Sequence, residues 1–192
     1  NYKKSIEINP DYAEGHNNLG SVLCKLGKFS ESIDSCQRAI KIKPNFTEAY
    51  NNLGIAFKKI GKFNESIDSY HRAIKINPEY AEAYNNLGNV YYRVRKIDEA
   101  ILNYKKAIEI NVNFAEAYNN LGNLLADLGK FDEARDCEDK LLTLKPNDIG
   151  YRINTALSII PIVNSVEEIN FYRNKYEKGL ESLKKYQYFT EK

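Results

Sequence analysis

Along residues 47–80 the apolar positions fall into two helical series separated by a short polar break. Ala49, Tyr50, Leu53, Gly54 and Phe57 recur at the spacing of one helix face, Gly61-Lys62 interrupts, and Phe63, Ile67, Tyr70, Ala73 and Ile74 mark a second face that Asn77-Pro78 closes. Gly54 and Ala73 are small where the two helices should cross, so the backbones can approach while aromatics fill the space beside them. The same pattern returns along the chain. Asn-Asn-Leu-Gly stands at Asn17–Gly20, Asn51–Gly54, Asn85–Gly88 and Asn119–Gly122, a constant period of 34 residues. That period accommodates two helices and two short connections, and such a pair cannot bury its apolar face alone. The expected fold is therefore all-α, a solenoid of stacked antiparallel helix pairs.

The units run over residues 13–46, 47–80, 81–114 and 115–148, with 1–12 reading as the second half of a truncated repeat and 149–192 as a C-terminal helical cap or linker. Tyr2–Tyr12 aligns with Tyr104–Phe114, so the expectation is that further repeats precede Asn1. Gly27, Gly61 and Gly129 recur between the helices of a pair, where a left-handed residue ends the first helix cheaply. The third unit has Arg95 there. Its turn is expected to be either strained, at about 1 kcal/mol, or differently shaped.

These residues resemble the tetratricopeptide repeat, whose pattern combines a bulky residue, Leu-Gly, a large apolar residue, a small residue, an aromatic, Ala and Pro. Unit two shows it as Tyr50, Leu53-Gly54, Phe57, Ser66, Tyr70, Ala73 and Pro78. Unit three shows Tyr84, Leu87-Gly88, Tyr91, Ala100, Tyr104 and Ala107, with Val112 in place of Pro. In unit one His16, Leu23 and Cys36 replace aromatics. In unit four Glu138 and Leu141 stand where the aromatic and Ala belong, which suggests a shifted register for its second helix. The resemblance implies a right-handed superhelix with an extended inner wall, a surface suited to binding another chain.

Net charge is +2, from 28 Lys+Arg against 26 Asp+Glu, so nothing suggests a nucleic-acid or membrane-surface field. No apolar run approaches the ~20 residues of a spanning helix. Three cysteines, Cys24, Cys36 and Cys137, form no C-x-x-C pair and read as buried or partly buried thiols, which favours a cytoplasmic location. His16 and His71 have no ligand partner at metal spacing, and no phosphate loop, activated nucleophile or paired catalytic carboxylates occur. The expectation is a non-catalytic chain without cofactor or metal.

The candidate binding residues are the paired asparagines. The resemblance places the second of each pair, Asn18, Asn52, Asn86 and Asn120, on the inner wall. A carboxamide there offers both donor and acceptor to the backbone of an extended peptide. The first of each pair is expected to be structural or solvated, with Asn51 and Asn85 retained as candidate contacts. Position nine of the unit, Ser21, Ile55, Asn89 and Asn123, is expected to share the wall. Two adjacent asparagines in every first helix need compensation, since each costs about 0.6 kcal/mol relative to Ala. Common descent of the repeats is the competing explanation. Glu14, Glu48, Glu82 and Glu116 open the first helices and complement the helix dipole. They stand where binders of chaperone tails carry cations, with only Lys25, Lys58, Lys59 and Arg93 nearby.

Beyond Pro146 the pattern changes. Ile149–Ile160 predicts one helix, and Ser165-Val166-Glu167-Glu168 is a capping box for a longer one carrying Ile169, Tyr172, Tyr176, Leu180 and Leu183 on one face, a capping helix in the plain reading. Arg152-Ile153, Ala156-Leu157, Ile160-Pro161, Ser165, Glu167-Glu168-Ile169, Tyr172-Arg173 and Gly179-Leu180 also resemble the segment joining repeats to the catalytic region in bacterial SPINDLY-type O-linked N-acetylglucosamine transferases. That resemblance implies a parent enzyme that glycosylates proteins, with this chain as its substrate-recognition arm. The alternative is a stand-alone adaptor. In both the partners are proteins or extended peptides, and self-association through exposed solenoid ends is a further possibility.

Overall fold

The computed structural model describes residues 2–146 and Asp148, together with Val166, Asn170, Arg173, Tyr176, Glu177, Leu180 and Glu181, which are helical. The expected helix of residues 149–160 and most of the amphipathic segment after Pro161 lie outside the described residues, as does most of the transferase-like motif. Among the described residues every regular element is an α-helix: α1 (Tyr2–Ile8), α2 (Ala13–Lys25), α3 (Phe29–Ile42), α4 (Thr47–Lys59), α5 (Phe63–Ile76), α6 (Ala81–Arg93), α7 (Ile97–Ile110), α8 (Ala115–Asp127) and α9 (Phe131–Leu144). The chain divides into two compact units, residues 1–114 with α1–α7 and residues 115–192 with α8 and α9.

In the first unit each helix packs on the next, and the first helices of the pairs also touch one another, α2 on α4 and α4 on α6. Among the described residues α3, α5 and α7 make no such mutual contacts. Closer approach of the first helices curves this unit toward them, so their outward face forms its concave wall. The pairs are antiparallel because one tight turn joins their helices. Lys28 N–H donates to Leu23 O at 2.9 Å and Gly27 N–H to Cys24 O at 3.1 Å, a Schellman closure, with Gly27 at φ +77°. Gly61 and Gly129 repeat it at φ +77° and +73°. Arg95 adopts φ +64°, and Lys96 N–H reaches Tyr91 O at 2.9 Å, so the third turn keeps the shape and carries the strain. Between units, Asn9, Asn77 and Asn111 accept from the backbone N–H two residues ahead at 3.0–3.2 Å, stopping the second helices without a glycine.

Each crossing is built on its glycine. The Ser32 hydroxyl donates to Gly20 O at 2.7 Å and the Ser66 hydroxyl to Gly54 O at 2.8 Å, tying second helix to first. Against these glycines lie Cys36 in unit one, the Tyr70 and Tyr104 rings in units two and three, and Cys137 in unit four. In unit four the expected shift of register is corrected: α9 keeps the 34-residue offset from α7 in its bounds, while Ala134, Cys137 and Leu141 form its buried face. Glu138 stands at the tyrosine position, and the Cβ of Cys137, one residue earlier, lies against Gly122 instead. Burial pushes the Cys36 thiol up to about 12, so it stays protonated and unreactive near neutral pH.

Two equivalent tyrosines differ in a way that predicts opposite mutational signs. The Tyr104 hydroxyl donates to Asn89 Oδ1 at 2.8 Å, whereas position nine of the preceding unit is Ile55, packed beside Tyr70; among the described residues the buried Tyr70 hydroxyl has no partner at hydrogen-bond geometry, and the proton of the nearby Ser66 hydroxyl is committed to Gly54 O. An unsatisfied buried hydroxyl costs about 1–3 kcal/mol and a satisfied one contributes roughly 1 kcal/mol. Tyr70→Phe is therefore expected to raise the denaturation midpoint and Tyr104→Phe to lower it, each by the equivalent of about 1 kcal/mol. Urea melts of the two variants check this, and equal signs would refute it.

Candidate functional site

The asparagine pairs sit midway along the first helices, and the two members of a pair play different parts. Asn17, Asn51 and Asn85 are buried, while Asn18, Asn52 and Asn86 are half-buried. One residue along a helix is a rotation of about 100°, which turns the first toward the neighbouring helix and leaves the second at the rim of the wall. Asn52 Nδ2 donates to Asn17 Oδ1 at 2.8 Å, and Asn86 Nδ2 donates to Asn51 Oδ1 at 3.0 Å. The pairs thus form a ladder of amides that links the second repeat to the first and the third to the second. This is the compensation that adjacent asparagines in a helix require.

The ladder also gives the wall a polarity. With an N–H of Asn52 and Asn86 directed at the preceding unit, their Oδ1 atoms remain as acceptors at the half-buried surface. Asn51 and Asn85, retained from the sequence as candidate contacts, lie beneath that surface. In the compact unit of residues 115–192, Asn119 and Asn120 are half-buried and Asn123 is exposed. Position nine divides by unit. Ser21 is half-buried, Ile55 belongs to the apolar cluster around Tyr70, and Asn89 holds the Tyr104 hydroxyl. Asn89 therefore has a packing role that its repeat position does not reveal; the pairing of Asn at position nine with Tyr on the second helix is the signal that could have shown it.

The glutamates at the helix starts behave as expected of dipole partners. Glu14 is held below the usual carboxylate range by its own backbone N–H at the start of α2, and by Lys43, whose Nζ lies 3.1 Å away. Burial, with the charges of Glu82 and Glu48 adding to it, pushes the Tyr80 hydroxyl up to about 12. His16 Nε2 lies 2.9 Å from Pro10 O and His71 Nε2 lies 3.2 Å from the Tyr91 hydroxyl. Among the described residues no three His, Cys, Asp or Glu side chains gather in a way that could hold a metal ion. Among the same residues no helix is long and apolar enough to cross a membrane.

The chain matches the TPR repeat family over residues 20–61 and 56–94 and the tetratricopeptide repeat over 81–114, with further matches over 1–34 and 103–136. It is a member of the tetratricopeptide repeat family. Its helix pairs are those of tetratricopeptide solenoids, which are protein–protein interaction modules. Among solved structures, the crystal structure of MamA is 33% identical over 76% of this chain and 85% of that one, with a TM-score of 0.66. TTC0263, a thermophilic TPR protein of Thermus thermophilus, is 22% identical over 80% of this chain and 84% of that one, with a TM-score of 0.73. YrrB, a TPR protein with an unusual peptide-binding site, is 20% identical over 94% and 89%, with a TM-score of 0.64. The last two likenesses speak to the tetratricopeptide fold alone. No curated relative matches the chain significantly.

Proposed function

We propose that this tetratricopeptide chain binds extended peptide segments on the wall formed by α2, α4 and α6. In this reading the half-buried second asparagines accept hydrogen bonds from the peptide backbone. The carrying observation is the amide ladder: internal bonds at 2.8 and 3.0 Å fix Asn52 and Asn86 and leave their carbonyl oxygens in a row at repeat spacing. Preorganised acceptors recognise main chain without reading side chains, which suits a partner of varied sequence. Asn18 extends the same row by its position in the repeat, and Asn120 is the corresponding asparagine of residues 115–148.

Replacing Asn52 and Asn86 together by Ala removes two contacts of roughly 0.5–1.5 kcal/mol each, so peptide affinity is expected to fall about tenfold or somewhat more. Fluorescence anisotropy with a panel of unstructured peptides measures this. The sequence pattern predicts an intact fold for this variant. The geometry adds a stability loss of about 1–3 kcal/mol per site, because the buried Asn17 and Asn51 oxygens lose their donors. Unchanged affinity in a variant that retains its circular dichroism would remove the ladder from the site.

The finer setting separates into two. One is the substrate-recognition arm of a larger SPINDLY-type protein O-linked N-acetylglucosamine transferase, supported by the resemblance of Arg152–Leu180. The other is an adaptor that assembles protein partners. The peptide panel distinguishes them, since an arm that serves many substrates binds many sequences weakly and an adaptor strongly prefers one.

A further inference from the structure

Apart from the amide ladder, the first unit carries a groove of about 390 Å³ at the C-terminal ends of α4 and α6, lined by Lys58, Lys59, Phe63, Asn89, Tyr92 and Arg93. Three of these are cations and none is a carboxylate. Lys59 and Arg93 are exposed and enter no ion pair among the described residues. Helix-dipole complementarity accounts for a cation in each last turn, but not for their gathering around an aromatic floor supplied by a second helix of a pair. Asn89 sharpens the selection. Its carbonyl is taken by the Tyr104 hydroxyl at 2.8 Å, so the amide group it offers the groove is the NH₂ donor. Lysine, arginine and that amide together present donors, which suit groups that only accept.

Lys25, Lys59 and Arg93 occupy the same position in successive units, at the ends of helices that touch in turn. Packed helices lie about 8–10 Å apart. A peptide in the polyproline II conformation presents every third side chain on one face, about 9 Å apart, with its backbone free to accept or donate. We propose that this groove, continued by Lys25 at the matching position of α2, docks an acidic peptide segment in an extended, polyproline II-like conformation, with carboxylates at every third residue meeting Lys25, Lys59 and Arg93 in turn. The inference rests on the peptide-binding reading above and deepens it: the ladder grips backbone and the basic column selects side chains.

The test uses the full chain and three labelled probes at low salt: a peptide with Glu at every third residue, its isomer with Gln at those positions, and single-stranded oligodeoxythymidine. The Glu peptide is expected to bind about tenfold tighter than the Gln peptide, the effect of one or two charge-assisted contacts, and to lose that advantage as salt rises. Lys59→Ala with Arg93→Ala is expected to bring the two affinities together, while Asn52→Ala with Asn86→Ala weakens both peptides alike. Both cations are exposed, and circular dichroism confirms that their variant is folded. Equal binding of the Glu and Gln peptides, or indifference of the Glu peptide to the loss of Lys59 and Arg93, overturns the acidic docking site and leaves peptide binding standing. Failure of both peptides to bind removes both readings. Oligodeoxythymidine binding as tightly as the Glu peptide, with the same dependence on Lys59 and Arg93, overturns the assignment to a peptide.

Discussion

Gly54→Ala is expected to destabilise the protein by about 2 kcal/mol, although alanine is the better helix former by about 1 kcal/mol. A Cβ built at Gly54 would lie 2.6 Å from Tyr70 Cε1 and 2.9 Å from two further ring atoms. Tyr70 is fully buried, in a cluster with Leu87 and Val90, so its ring has nowhere to retreat. Overpacking of this kind costs about 1–3 kcal/mol or more, which outweighs the gain in propensity. Gly122→Ala is the matched control. There the nearest atom is Cys137 Cβ at 3.2 Å, and the next is Ala134 O at 3.6 Å. A shift of a few tenths of an ångström accommodates the methyl group, and the net effect is expected to lie within about 0.5 kcal/mol of zero. Guanidinium melts of the two variants, read as midpoint shifts at constant steepness, give the comparison. Gly54→Leu, which adds three more carbons beside the same ring, is expected to lose well over twice as much as Gly54→Ala. A Gly54→Ala variant as stable as the parent would mean that the crossing is looser than these distances require.

How much of this was legible in the residues differs from one element to the next. The helix pairs were legible because a 34-residue period and two series of apolar positions are local signals. Glycine in the turns announced the left-handed closures, and Arg95 was legible only as a conflict, since one residue cannot show whether a turn strains or changes shape. In unit four the sequence mismatch at Glu138 read as a slipped helix. The bounds of α9 did not move, because a neighbouring small residue, Cys137, could face Gly122 without displacing the backbone. The asparagine pairs were half legible. Repetition marked them, but adjacent residues on a helix differ by about 100°, and which one is buried depends on where the next unit packs. The bonds from Asn52 to Asn17 and from Asn86 to Asn51 join residues 35 apart in sequence, one more than the repeat period. That offset is a property of stacking and is invisible to a reading confined to one unit. The basic groove shows the same limit: the cations were noted one by one, and the aromatic floor beneath them comes from another helix.

Leu87→Ala is expected to cost about 3 kcal/mol and to broaden the unfolding transition. Leu87 is fully buried on α6, and its cluster partner Tyr70 belongs to α5, so their contact spans the boundary between the second and third units. Truncation removes the apolar contact and leaves a cavity beside the buried Tyr70 ring. In a stacked array each unit contacts only its neighbours, and stability is approximately a sum of unit terms and interface terms. Weakening one interface lowers the total and also loosens the coupling that makes the units unfold together. The expected melt therefore has a lower midpoint and a shallower slope, or two resolved steps, followed by far-ultraviolet circular dichroism in urea. Leu102→Ala provides the contrast: that side chain is 68% exposed on α7, so its loss should move the midpoint by less than about 0.5 kcal/mol and leave the slope alone. A destabilised Leu87→Ala protein that still melts in one equally steep step would place the coupling elsewhere, with the amide ladder as the remaining link between the same units.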